Sequence, residues 1–120
     1  MKPMEFAKGR SRVLAISMAP ATTDAMGAEL NQAKEAILQW KAKHNEHCDM
    51  LMLTVVSAPE NHTAIERMLK EAYREPTLSQ ALGGVEVQVM LLNSNGKTAK
   101  EYHLGDGRAK ATAKPWWKFW

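Results

Sequence analysis

Apolar residues recur along this chain with two different periods, and the alternation between those periods marks out its elements. Val13-Leu14-Ala15-Ile16-Ser17-Met18-Ala19 is a short, nearly continuous apolar run closed by Pro20, as expected of a buried strand. Ala21-Thr22-Thr23-Asp24 then offers side-chain oxygens that can accept from the first free amides of a helix. Met26, Leu30, Ala33, Ile37 and Trp40 follow in steps of four, three, four and three, which places one apolar stripe on a helix ending near His44 to Asp49. Glu29, Gln32, Glu35 and Lys43 fall on the face left to water.

Met50-Leu51-Met52-Leu53-Thr54-Val55-Val56 is apolar at almost every position, the pattern of a central strand covered on both faces. Pro59 suits the first position of a second helix, where its missing amide costs nothing. Ile65, Met68, Leu69, Ala72 and Tyr73 carry that helix forward, with Glu66 and Lys70 as an i,i+4 pair. Pro76 ends it, and Thr77-Leu78-Ser79-Gln80 has the form of a capping box that would start one more turn before Gly83-Gly84. Val85, Val87 and Val89 alternate with polar residues and run into Met90-Leu91-Leu92, a third strand. Asn93-Ser94-Asn95-Gly96 predicts a tight turn, and Lys97 to Leu104 an edge strand guarded by its charges.

The predicted order is strand, helix, strand, helix, hairpin: a single small α/β domain over residues 13–107 with a mixed four-stranded sheet. Right-handed crossovers make the first two strands parallel neighbours, and the closing hairpin adds antiparallel strands. With its hairpin Leu91-Leu92-Asn93-Ser94-Asn95-Gly96-Lys97, this order resembles the thioredoxin-like superfold in its short, glutaredoxin-like version, over residues 13 to 104. The catalytic elements of that family do not carry over. Met18-Ala19-Pro20-Ala21-Thr22-Thr23 stands where the family places its redox cysteines, and Gly83-Gly84 where it places a cis-proline. The resemblance therefore implies a redox-dead relative that keeps the scaffold for binding.

Composition narrows the picture. The chain has 120 residues, enough for one core, and its single Cys48 excludes an internal disulfide and Cys-x-x-Cys chemistry. The net charge of +3 is unevenly spread. An arm at residues 1–12 carries Lys2, Lys8, Arg10 and Arg12 against Glu5 alone; residues 108–120 carry Arg108, Lys110, Lys114 and Lys118 with no acid; the body between is mildly acidic. Such a layout opposes a globally basic nucleic-acid-binding domain and assigns any polyanion attraction to the two ends. No apolar run is long enough to span a membrane, and the apolar stretch behind the basic start is too short for a secretory signal, so a cytoplasmic location is expected.

Candidate chemistry is sparse. Lys43-His44-Asn45-Glu46-His47-Cys48-Asp49 gathers metal-capable side chains, with His62 and His103 elsewhere, yet a zinc site needs about four ligands, or three plus water. The simpler reading is that His44 and Lys43 complement the carbonyl end of the helix while Cys48 enters the core. A nucleophilic Cys48 activated by His44 or His47 is the enzymatic alternative, without a local oxyanion motif to support it. Glu60, Glu66, Glu71 and Glu75 read as a solvated helix face, and no phosphate-binding glycine loop is present. No cofactor and no metal are assigned.

The last residues stand out. Trp116, Trp117, Lys118, Phe119 and Trp120 hold three of the four tryptophans of the chain. Aromatics of this size rarely stay in water unless they form an interface. They can fold back on the domain's own sheet or a twin subunit's, anchor a protein partner, stack on single-stranded nucleic acid with Lys8, Arg10, Arg12, Arg108, Lys110 and Lys114 meeting phosphates, or rest at a membrane surface. The sequence favours the first two: a non-catalytic protein-interaction or assembly module, adaptor or homo-oligomer, with nucleic-acid accessory binding as the alternative.

Overall fold

A computed structural model describes residues 1–8, 11–44 and 48–104, with nothing of the Lys8 side chain. Five strands and three helices alternate: β1 Lys2–Lys8, β2 Ser11–Met18, α1 Thr23–Lys43, β3 Cys48–Val56, α2 His62–Arg74, α3 Pro76–Ala81, β4 Glu86–Leu92 and β5 Thr98–Leu104. The sheet order is β1-β2-β3-β4-β5. The three central strands, β2, β3 and β4, run parallel to one another, and the edge strands β1 and β5 pair antiparallel to β2 and β4.

The single α/β domain is as expected, but the sheet has five strands where the periodicity gave four. The additional strand is the N-terminal arm. Lys2, Met4 and Phe6 alternate with Pro3, Glu5 and Ala7, so the arm does carry a period of two; its charges hid it. Pro3 is tolerated because β1 is an edge strand. The closing hairpin also joins differently. β4 lies parallel to β3, since α2 and α3 form a second crossover, and only β5 is antiparallel.

Local signals explain the helices. Thr22 caps α1, its Oγ1 accepting from the Ala25 amide at 3.1 Å. Pro59 opens a 3₁₀ turn, Pro59–Asn61, ahead of α2. Pro76 does not merely stop α2: it occupies the first turn of α3, whose cap is Glu75 without a side-chain hydrogen bond, so the Thr77 capping box does not form. Gly84 and Gly96 take positive φ of 81° and 85°, Gly96 closing the predicted turn with its amide on the Asn93 carbonyl.

Both crossovers move the chain one strand in the same direction. Right-handed connections then place their helices on one face of the sheet, and α1 indeed packs against α2 and α3. Leu14, Ile16 and Met18 of β2, Leu51, Leu53 and Val55 of β3, and Val87, Val89 and Leu91 of β4 meet Met26, Ala33, Ile37, Trp40, Ile65 and Leu69 there. Burial of each large side chain in this layer contributes on the order of 1.5–3 kcal/mol. At the β1 edge, Glu5 accepts from His44 Nε2 at 2.9 Å and lies 3.6 Å from Lys43 Nζ, tying the arm to the end of α1.

Neighbouring residues of β3 should therefore differ sharply. Leu53→Ala, on the helix side, is expected to cost about 3 kcal/mol, and Met52→Ala, on the opposite side, under about 1 kcal/mol. Urea denaturation of the two variants checks this; equal losses would contradict the division between the faces.

Candidate functional site

The second face of the sheet receives no helix among the described residues. Register fixes what it presents. Phe6, Val13, Met50 and Glu86 form one row, Met4, Ala15, Met52, Gln88 and His103 the next, then Lys2, Ser17, Thr54, Met90 and Glu101, and finally Val56 and Leu92. Four of the eight methionines lie here. Met4 is 59% exposed and Phe6 46%, while Met52, Thr54, Val56, Met90 and Leu92 are half-buried. The apolar run of β3 thus marks a central strand, as expected, but the described helices cover only one of its faces. A broad methionine-bearing surface is chemically suited to contact: the unbranched thioether adapts to irregular partners and packs well on aromatic rings.

One corner of this face differs. Val13 and Met50 are each 2% exposed, and neither belongs to the core beneath the helices. Beside them Gln88 is 5% exposed and the Glu86 side chain 7%, yet Gln88 Oε1 and Glu86 Oε2 have no hydrogen-bond partner among the described residues. His103, opposite Gln88, approaches Glu86 Oε2 at 3.7 Å, too far for a hydrogen bond. The chain leaves the sheet one residue later, at Leu104. At the β5 edge a separate cleft of about 320 Å³ opens toward α2, lined by Lys70, Tyr73, Arg74, His103 and Leu104.

Cys48 sits at the opposite edge of chemistry. Its Sγ donates to the His44 carbonyl at 3.1 Å and lies 3.9 Å from that of Trp40, so the thiol helps to satisfy the end of α1. Burial, the largest influence, pushes its pKa up despite the nearby Lys41 charge. The imidazole of His44 faces Glu5 instead of the thiol, and His47 lies outside the described residues. A raised pKa, and a His44 imidazole engaged by a carboxylate, are the reverse of what activates a nucleophile. Among the described residues no three His, Cys, Asp or Glu side chains are placed to hold a metal ion.

A polar cluster that the sequence did not reveal spans the far ends of the parallel strands. Ser57 Oγ donates to the Pro20 carbonyl at 2.8 Å, and Asn61 Nδ2 donates to Ser57 Oγ at 3.0 Å and to the Ala21 carbonyl at 3.3 Å. His62 Nε2 lies 3.0 Å from the Ser57 carbonyl and 3.2 Å from that of Leu92, which requires a protonated Nε2. These bonds clasp the ends of β2, β3 and β4. The serine proton is already given to a carbonyl and the imidazole points at two others, so the trio has no base free to act on Ser57. Only the spacing Ser57, Asn61, His62 at a strand-to-helix junction could have signalled it.

Of the basic residues named for nucleic acid, Arg12 alone has a described side chain. Arg12 pairs with Ala7 and Cys48, on the helix side of the sheet, while Lys8 contributes described backbone alone. Arg10, Arg108, Lys110 and Lys114 lie outside the described residues, as do Trp116, Trp117, Lys118, Phe119 and Trp120.

Titration of Cys48 provides a check on its placement. The unfolded thiol ionises near its ordinary value of 9.0, while the folded one resists, so its contribution to stability is intact below pH 9.0 and is lost as pH rises from there through the raised native pKa. Cys48→Ala should flatten the high-pH decline in urea-measured stability relative to the parent; an unchanged slope would place the thiol in water. Compared with protein-family models, curated proteins and solved structures, the chain matches none of them.

Proposed function

We propose that the protein is a non-catalytic protein-interaction or assembly module that works through the helix-free face of its sheet together with its aromatic C-terminal segment. The observation that carries this reading is the face formed by β1 to β4, which presents Met4, Phe6, Val13, Met50, Met52 and Met90 and receives none of the described helices. A sheet face of this breadth is usually completed by another layer. The chemistry of the described side chains supports contact over catalysis: the one thiol is buried with a raised pKa, and the cluster of Ser57, Asn61 and His62 is consumed in holding strand ends. Trp116, Trp117, Phe119 and Trp120 complement such a surface, because aromatic rings and thioethers attract each other by about 0.3–1.5 kcal/mol per contact. The layer that completes the face is the chain's own segment, a twin subunit or a partner protein.

A photoreactive benzoylphenylalanine replacing Thr54, in the middle of the face, tests this directly. Irradiation of the full-length protein should give a polypeptide adduct, within the chain or between chains, that mass spectrometry maps to a defined sequence. The same replacement at Glu71, on exposed α2, should give none. Equal, diffuse labelling from both positions would contradict the proposal.

A further inference from the structure

We infer that the resident occupant of the helix-free face is the segment 105–120 of the same chain, anchored at Glu86 and Gln88, so that any outside partner must displace it. This rests on the interaction-face reading and names which of its alternatives holds. The shielded corner is found where the described chain ends. Gln88 pairs with His103 across the β4–β5 ladder, and residue 105 follows directly after Leu104. Crossing from β5 to β1 takes four strand spacings, about 19 Å. Sixteen residues can extend about 50 Å, ample for the crossing and a return.

Hydrogen bonding selects the occupant further. Gln88 Oε1 and Glu86 Oε2 are acceptors removed from water without a described donor, and a buried acceptor left so costs on the order of 1–3 kcal/mol. A covering segment must therefore bring donors. Indole N–H is donor-only, and the segment has three tryptophans beyond residue 115 along with Lys110, Lys114 and Lys118. Charge agrees: the corner presents Glu86, with Glu101 two rows away, and the chain has no acid after Asp106. Tethering favours the intramolecular arrangement, because a short linker holds the segment at millimolar effective concentration beside its own sheet, above that of a second copy in dilute solution.

Iodide quenching of the full-length Trp40→Phe variant tests the inference, since only the three C-terminal indoles then emit. Expected is blue-shifted emission, quenched several-fold less than in a free peptide of residues 105–120, unchanged on dilution, and losing protection in the further variant Gln88→Leu with Glu86→Ala. Peptide-like quenching would overturn the proposal, and so would protection that disappears on dilution, which would place the segment on a second copy. If Trp40→Phe does not fold, methyl-to-indole NOEs from Met50 in the parent chain, with isotope filtering in mixed samples, give the same decision: intramolecular NOEs support it, and intermolecular ones or none overturn it. A face that crosslinks from position 54 while the indoles stay quenchable would leave the interaction module standing and remove this occupant alone.

Discussion

Two consecutive right-handed crossovers that advance in the same direction set everything else in this molecule. Had the chain reversed direction between β3 and β4, α1 and α2 would lie on opposite faces and the sheet would be enclosed. Instead β2, β3 and β4 follow one another in order, and the described helices gather on one side. The core is built there from Leu, Ile and Val of the strands and the Met26 to Trp40 stripe of α1. Each strand then has a second set of side chains, displaced by one residue, that those helices cannot reach.

That second set has the chemistry of a surface made to be covered. It is too apolar to be a solvated sheet face, yet it uses methionine where the helix side uses branched residues, a choice that favours adaptable contact over rigid packing. Its polar corner points the same way. Nothing is gained by removing a carboxylate and an amide from water unless donors meet them, and Glu86 and Gln88 lie where the chain passes out of β5. The edges are handled separately: Pro3 and the Glu5–His44 contact close one, and the charged exterior of β5 guards the other, with Lys100 held by Glu66 at 2.8 Å.

Much of the scaffold was legible in the sequence because its strongest periodicities coincide with its burial. The stripe from Met26 to Trp40 is the buried face of α1, and Thr22 is its cap. The tight turn at Asn93 to Gly96 also forms as read. What escaped was non-local. Lys2 to Lys8 pairs as a strand only because β2 offers a partner, and charge masked its alternation. The parallel docking of β4 depends on where a second crossover delivers it, which no local pattern encodes. The unbroken apolar run of β3 predicted cover on both faces without distinguishing helices from any other cover. At the candidate site, Cys48 was read correctly as entering the core, whereas Glu86, Gln88 and His103 carried no signal, since only strand register brings them together.

The unequal use of the two faces is tested most directly by NOE spectroscopy of the full-length protein with 13C-labelled methionine methyls. Met18 and Met26 should show contacts to Ile65 and other residues in the helix layer, while Met52 and Met90 should show none to α1, α2 or α3. A cross-peak between the methyl of Met52 or Met90 and a residue of those helices would contradict the one-sided packing from which the interaction face follows.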